Sequence, residues 1–338
     1  MTMKRNMFRW LEELRQSDKK RALPVLSFPG AQLIGVGVRE LVTDGAVQAR
    51  AMKAVAERVP SAASVSFMDL SVEAECFGAQ TVFSDTEVPT VVGALVTCEE
   101  EAAALSVPEV GAARSGVYVS AVEEAVKLIT DRPVLAGIIG SFSLAGRLVD
   151  VTEALVYCYT EPDMLKTVLD KATDFLVKYA KAFKAAGANG VMIAEPLAGL
   201  LSPDLAAEFS EPYIRRVVDA VQDENFIVVY HNCGNTAVQI IDSILRTGAA
   251  AYHFGNAVDM ENVLAHIPEN TVAMGNIDPA GEFANGTPQS IAKATADLLQ
   301  KCGGHGNFVI SSGCDIPPHA KWENIGAFFQ TVGEYYGN

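Results

Sequence analysis

A histidine and two cysteines are the residues whose types and spacing most clearly predict chemistry in this sequence. His231 ends one apolar run, FIVVYH, Cys233 follows two positions later, and Cys314 comes shortly after another apolar run, NFVISS. Residues i and i+2 of a strand point the same way, so the imidazole and the first thiolate can meet one metal ion. Two thiolates and an imidazole suit Zn²⁺, and three protein ligands leave the open position of a catalytic site. The alternative is that the cysteines fill a core and His231 is a satisfied strand-end histidine.

Five further polar residues follow predicted strands and are candidates for the same site. Glu195 is either a fourth, displaceable zinc ligand, a base, or a solvated carboxylate. Asp278, within GNIDP, is of a kind that more often orients a loop by hydrogen bonding than gains and loses a proton. Asp69 and Glu73 either line a pocket or face solvent, and His253 either points into the pocket or is packed. We therefore assign Glu195 and Asp278 as candidate catalytic residues, and Asp69, Glu73 and His253 as candidate cofactor-binding residues.

The elements that must position these residues are short apolar runs that alternate with longer amphipathic segments. The predicted strands are 23–28, 65–69, 134–140, 189–195, 226–231, 250–254, 271–276 and 307–312. The predicted helices are 47–58, 120–130, 161–186, 203–222, 236–246, 259–266, 288–301 and 321–336. The strand runs are almost continuously apolar, as expected for parallel strands buried on both faces. Strands that are each followed by a helix predict an α/β fold, a (β/α)₈ TIM barrel, with an open doubly wound sheet as the alternative.

The chain is predicted to form a single barrel domain over residues 1–338. In this prediction residues 1–22 are a helical N-terminal extension. Segment 70–118, with its glycines, prolines and acidic runs, is an insertion after the second strand that caps the barrel. The carboxyl ends of the strands form the active-site face of such barrels. The candidate residues are therefore expected to meet in space although they are far apart in sequence.

The composition excludes several classes of partner. The chain carries 41 acidic and 26 basic residues, a formal net charge of −15, and we find no basic cluster. Such a surface repels phosphate backbones, so nucleic acid is not expected as a partner. No stretch approaches about 18 uninterrupted apolar residues, which argues against a membrane span. The N-terminus has no apolar core of a signal peptide, so we expect a cytoplasmic protein whose six cysteines are thiols.

Several segments resemble the uroporphyrinogen decarboxylase superfamily. They are VVYHNCGN, GNIDP and SSGCDIPPHAKWENIGAFFQTVGEYY, supported by FRWLEELRQSDKKRALPVLSF and EPLAGLLSPDLAAEFSEPYIRRVV, so the likeness covers nearly the whole chain. The sequence is most similar to the zinc-dependent, corrinoid-linked methyltransferase branch. The HxC…C zinc motif of that branch maps onto His231, Cys233 and Cys314 with nothing missing.

The resemblance implies a methyltransferase that moves a methyl group between a corrinoid, such as methylcobalamin on a partner corrinoid protein, and a small thiol or another small molecule. It leaves the direction open, because family members also methylate the corrinoid from a methylated substrate. Uroporphyrinogen decarboxylation is disfavoured, because its many carboxylates need an arginine-rich loop. Here the loop FPGAQLIGVGVRE has Arg39 as its only basic residue. The third alternative is a structural zinc, which usually has four ligands close in sequence.

Overall fold

The computed structural model of this chain describes residues 5–337. Its strands are β1 (Ser64–Val65), β2 (Gln80–Val82), β3 (Thr90–Val92), β4 (Val134–Ile139), β5 (Gly190–Ala194), β6 (Ile227–Asn232), β7 (Ala251–Phe254), β8 (Val272–Ile277) and β9 (Phe308–Ser312). β2 and β3 pair as an antiparallel hairpin, and the others form one parallel sheet in the order β1-β4-β5-β6-β7-β8-β9. The α/β architecture with a parallel sheet is therefore confirmed, with seven strands in the sheet over the described part of the chain.

Most of the helices lie between strands along the chain. Their bounds are α1 (Met7–Gln16), α2 (Gly30–Ile34), α3 (Val38–Thr43), α4 (Gly45–Arg58), α5 (Val72–Cys76), α6 (Glu99–Ala104), α7 (Ser115–Leu128), α8 (Ser141–Val149), α9 (Val151–Thr160), α10 (Pro162–Ala185), α11 (Pro203–Phe209), α12 (Glu211–Val221), α13 (Ile241–Arg246), α14 (Met260–Leu264), α15 (Pro288–Cys302) and α16 (Trp322–Tyr336). A 3₁₀ turn, Leu197–Leu200, and a π-helical turn, Pro279–Ala284, follow β5 and β8. Over residues 5–337, no helix combines the length and the apolar character needed to cross a membrane.

The predicted first strand, 23–28, is extended but is not a regular strand. The backbone N–H of Leu23 donates to the Ile310 carbonyl of β9 at 3.0 Å, and the N–H of Ala62, just before β1, donates to the Ala22 carbonyl at 2.8 Å. Pro24 has no N–H to continue a ladder. The segment nevertheless bridges both edges of the sheet, so the sheet must curl to bring those edges together.

The inner face of the sheet is filled by side chains and covered at one end by α1. Trp10 of α1 and Met192 of β5 belong to one buried apolar cluster. The N–H of Met7 donates to the carbonyl of Glu224, just ahead of β6, so α1 lies at the amino ends of the strands. The interior is therefore packed core, as in TIM barrels. Of the predicted helical extension 1–22, α1 covers part, and residues 1–4 lie outside the described residues.

Segment 70–118 contains α5, the β2–β3 hairpin, α6 and the start of α7. Past the hairpin, the N–H groups of Leu95 and Val96 donate to the Leu148 carbonyl at the end of α8, at 2.7 and 3.0 Å.

The helices differ from the prediction in several places. The predicted helix 120–130 begins earlier, at Ser115, as α7. The helices α8 and α9 were not predicted. The predicted helix 203–222 is interrupted at Ser210, where Pro212 starts a new helix in its first turn.

Candidate metal centre

His231, Cys233 and Cys314 lie together at the carboxyl ends of the strands. One potential ligand atom of each lies within 4.8 Å of the others, and Nε2 of His231 is 3.5 Å from Sγ of Cys314. His231 is buried and the two cysteines are half-buried. A tetrahedral ion with bonds of about 2.3 Å to sulfur and about 2.0 Å to nitrogen separates such atoms by roughly 3.5 Å. The donor types and the 3.5 Å between His231 and Cys314 therefore fit one Zn²⁺.

The contact between the two thiols shifts their pKa values in opposite directions. The hydrogen bond with Cys314 lowers the pKa of Cys233, whereas the same contact and burial raise the pKa of Cys314 to about 12. Cys233 thus accepts a hydrogen bond from the Cys314 thiol, which keeps its proton. A cation that binds both sulfurs must displace the remaining proton, so binding is expected to weaken as pH falls.

Close backbone contacts hold the loop that carries Cys233. A Cβ atom on Gly255 would lie 2.5 Å from the Cα of Cys233, and one on Gly234 would lie 2.5 Å from the Cα of Gly199. Real Cβ atoms do not approach backbone so closely, so glycine is required at both positions. The turn after β6 is therefore fixed between the turns that follow β5 and β7.

His253 supports His231 from the adjacent strand. The two histidines are register partners in β6 and β7, and their Nδ1 atoms are 2.7 Å apart. Nε2 of His253 lies 2.7 Å from Oγ of Ser311, which donates to the Leu23 carbonyl at 2.7 Å. Burial lowers the pKa of His253 well below its ordinary value, so its ring is neutral. Both of its ring nitrogens contact protein atoms, which places this candidate cofactor-binding residue beneath the site.

Glu195 is directed at the start of α8. Its carboxylate accepts hydrogen bonds from the N–H of Phe142 at 3.0 Å and from the N–H and hydroxyl of Ser143 at 2.6 and 2.5 Å. Burial raises the pKa of Glu195 to about 7, although these hydrogen bonds act in the opposite direction. The sequence left a zinc ligand, a base and a solvated carboxylate as alternatives. The structure excludes the solvated carboxylate, because Glu195 is fully buried.

Asp69 and Glu73 are both buried. Asp69 accepts hydrogen bonds from Arg114 at 2.5 Å and from the Tyr118 hydroxyl at 2.8 Å. Glu73 accepts from the N–H of Ile139 at 3.0 Å, while its Oε2 has no partner over residues 5–337. Burial raises the pKa of Glu73 to about 8. Neither candidate faces solvent, and Asp69 is fully occupied by protein donors.

Asp278 lies in the turn after β8. Its carboxylate accepts hydrogen bonds from the N–H groups of Ala280 at 2.9 Å and Gly281 at 2.8 Å. These contacts cap the π-helical turn that begins at Pro279. In this position the side chain orients the loop, and no contact brings it to the His-Cys-Cys cluster.

A cavity of about 320 Å³ opens beside Cys233, between α8 and the turn that follows β5. Arg147 of α8 lines it together with apolar side chains such as Leu197. The Arg147 guanidinium has no hydrogen-bond or ion-pair partner among residues 5–337. Burial lowers the pKa of Arg147, which remains charged at neutral pH. The cavity is therefore an apolar space with one unpaired cation next to a candidate ligand.

Sequence reasoning missed Arg147, Ser311 and Asp315. Burial and the neighbouring Cys314 raise the pKa of Asp315 well above its ordinary range, and this residue directly follows the candidate ligand. Ser311 interrupts an apolar strand with a polar side chain, which is a detectable signal. Arg147 follows the small, apolar stretch SFSLAG, where no helix had been predicted.

A curled parallel sheet with a His-Cys-Cys cluster at its carboxyl end defines an enzyme-like α/β barrel class. The uroporphyrinogen decarboxylase (URO-D) family matches residues 21–335, and the chain belongs to this family. The family predicted from the sequence is therefore confirmed.

Particular relatives within the family include two kinds of enzyme. The methylcobamide:CoM methyltransferase MtbA of Methanosarcina acetivorans is 29% identical over 277 residues, which cover 79% of this chain and 78% of that protein. The uroporphyrinogen decarboxylase of Hydrogenovibrio crunogenus is 28% identical over 290 residues, covering 82% and 80%. Among solved structures, a methyltransferase from Methanosarcina mazei superimposes with a TM-score of 0.84 at 23% identity, covering 98% of this chain and 99% of that one. The structural likeness supports the fold.

Proposed function

We propose that this chain is a zinc-dependent methyltransferase that moves a methyl group between a corrinoid and a small thiol. The observation that carries the proposal is the cluster of His231, Cys233 and Cys314, whose ligand atoms lie within 4.8 Å of one another. All three residues would hold the ion, and the adjacent cavity would hold the substrate. The similarity to a methylcobamide:CoM methyltransferase supports a corrinoid as the second reactant.

When bound at this cluster, Zn²⁺ would lower the pKa of a substrate thiol and so supply the thiolate, which is the nucleophile. The chain's own residues act around that chemistry. His231 is held in place by His253, and the cavity beside Cys233 excludes bulk water from one side of a bound thiol. Arg147 offers a charge to an anionic end of the substrate, in a chain that otherwise repels anions.

We also propose that the chain is one domain, with α1 and segment 70–118 as its extension and its cap, and that its corrinoid is carried by a partner protein in the cytoplasm. A decarboxylase is less well supported. The Arg39 side chain, the only basic one in the loop after segment 23–28, is engaged at the surface. It donates to the Phe83 carbonyl at 3.0 Å and lies 3.3 Å from a carboxylate oxygen of Asp85.

Zinc content and thiol-dependent demethylation of methylcobalamin test the proposal together. The wild-type chain is expected to contain about one Zn²⁺ and to demethylate free methylcobalamin slowly with a small thiol. Cys314→Ala should lose the metal and the reaction while the fold persists by circular dichroism. Cys302→Ala, on α15 away from the cluster, is the matched control and should retain both. Equal rates in the wild type and Cys314→Ala would contradict the proposal. A metal-dependent transfer only from a methylated substrate to reduced cobalamin would establish the reverse direction instead.

A further inference from the structure

We propose that His253 and Ser311 are positioning residues that select the tautomer of His231, leaving the nitrogen that faces the cysteines without a proton. The inference rests on the proposed metal site, because its consequence is a ligand nitrogen prepared before any ion arrives. It concerns two residues that do not line the cavity beside Cys233. Their contacts form a chain that runs from the Leu23 carbonyl to His231.

The direction of this chain is fixed at the Leu23 end. A backbone carbonyl only accepts hydrogen bonds, so the Ser311 hydroxyl, 2.7 Å away, must use its single proton there. The Ser311 oxygen is then available only as an acceptor toward His253. Nε2 of His253, 2.7 Å from that oxygen, must therefore carry the proton of the ring.

The same logic passes through the two imidazoles. A neutral imidazole has one donor and one acceptor nitrogen, so Nδ1 of His253 is the acceptor. Nδ1 of His231, 2.7 Å from it, must donate. The remaining nitrogen of His231, Nε2, then presents a lone pair, and this is the atom 3.5 Å from Sγ of Cys314. The opposite order would leave two acceptors or two donors facing each other.

Burial makes the order of donors and acceptors difficult to reverse. His253 and Ser311 are 0% exposed and His231 is 2% exposed, so water does not compete for these contacts. The three residues come from β6, β7 and β9, whose backbones are held by the sheet. Metal-binding histidines usually donate their second N–H to a carboxylate, a carbonyl or water. Here the acceptor is a second histidine, His253. The tautomer of His253 is set, through Ser311, by the Leu23 carbonyl on the segment that bridges the sheet edges.

Three variants of the full chain test the inference by zinc affinity and by nitrogen NMR of the histidine side chains. In the metal-free wild type, His231 is expected to carry its proton on Nδ1. His253→Leu removes the acceptor and should weaken zinc binding by about 10- to 100-fold, measured by competition with a chelator. His253→Asn places an amide oxygen near the position of Nδ1, so its affinity should recover to within a few-fold of the wild type. Ser311→Ala removes the acceptor for the N–H at Nε2 of His253, so His253 can adopt either tautomer. Metal-free His231 should then become a mixture of both tautomers.

A purely structural role predicts a different pattern. His253→Asn and His253→Leu would then weaken zinc binding equally, and the tautomer of His231 would be unchanged in Ser311→Ala. Either result overturns the inference, as does a proton on Nε2 of His231 in the metal-free wild type. Failure of the proposed function is distinguishable, because a wild-type chain without zinc affinity refutes the metal site while NMR of the metal-free chain still decides the tautomer.

Discussion

Arg147 is the residue that most directly bears on which molecule enters the cavity. In a chain of net charge −15, an unpaired guanidinium in an apolar cavity next to Cys233 favours ligands that carry a negative group. Hydrogen bonds to charged groups contribute about 1.5–3 kcal/mol, or roughly a 10- to 100-fold effect on binding. Specificity is therefore expected to depend on this side chain more than on the apolar lining.

Arg147→Gln is expected to raise KM for a thiol that carries a carboxylate, such as 3-mercaptopropionate, by about 10-fold or more. KM for the neutral 2-mercaptoethanol should change little, because this thiol has no charged group that could interact with Arg147. Steady-state demethylation of methylcobalamin by each thiol gives the comparison, and Arg147→Lys should be intermediate because the ammonium lacks a planar fork. An equal loss for both thiols would assign Arg147 to packing.

At the scale of elements, Glu195 joins the end of β5 to the start of α8. Two of its three hydrogen bonds satisfy backbone N–H groups that the first turn of a helix leaves unpaired, and the third comes from the Ser143 hydroxyl. A negative group at this end is also favoured by the helix dipole. A Cβ on Gly140 would overlap the Glu195 carboxylate, so the sequence at this junction is adapted to that contact.

Glu195→Ala should lower the free energy of unfolding by about 2–4 kcal/mol, because two buried N–H groups lose their acceptor. Urea denaturation measures this change, and zinc content is expected to remain at the wild-type level. Glu195→Gln keeps one acceptor oxygen and should lose less stability. Loss of zinc from Glu195→Gln in a chain of unchanged stability would instead identify this residue as a ligand.

Sequence patterns predicted the elements unequally. The strands from β4 to β9 all lie within two residues of their predicted bounds, since continuous apolar runs mark strands covered on both faces. Segment 23–28 reads as a strand by the same criterion, but Pro24 prevents a regular ladder. α8 was missed because eight of its nine residues are buried, so it lacks the exposed polar face by which a surface helix is recognised.

The site was predictable only in its ligands. The spacing of His231 and Cys233 is a local signal, Cys314 stands after the last predicted strand, and the resemblance maps its zinc motif onto all three. The contact between His231 and His253 depends on the register of two strands, which no local pattern encodes. The roles of Glu195 and Asp69 likewise depend on donors from α8 and α7 that are distant in sequence.

At the scale of the whole molecule, Glu73 links stability to pH. Burial raises its pKa from an ordinary value near 4.5 to about 8 in the folded chain. Between these values the folded state keeps a proton that the unfolded state releases, so the free energy of unfolding falls as pH rises. The stabilising contribution is fully present below about pH 4.5 and is lost as pH rises through about 8.

Glu73→Gln should therefore flatten the decline of stability between about pH 5 and pH 8, by up to a few kcal/mol at the upper end. Urea denaturation at several pH values provides the measurement. Glu87→Gln, at an exposed position in the insertion, is the control and should keep the wild-type slope. If the wild type and Glu73→Gln show parallel profiles, Glu73 is ionised in the folded chain.

The bridge made by segment 23–28 also sets an order of events during synthesis. The Ser311 hydroxyl and the Leu23 carbonyl that it contacts are 288 positions apart. At about 5–20 residues per second, a ribosome needs roughly 15–60 s to make the intervening chain. Throughout that time the sheet cannot close, so the apolar side chains of its inner face are exposed and accessible to chaperones. Cys314 emerges with the same last strand, and the three candidate ligands can meet only after closure.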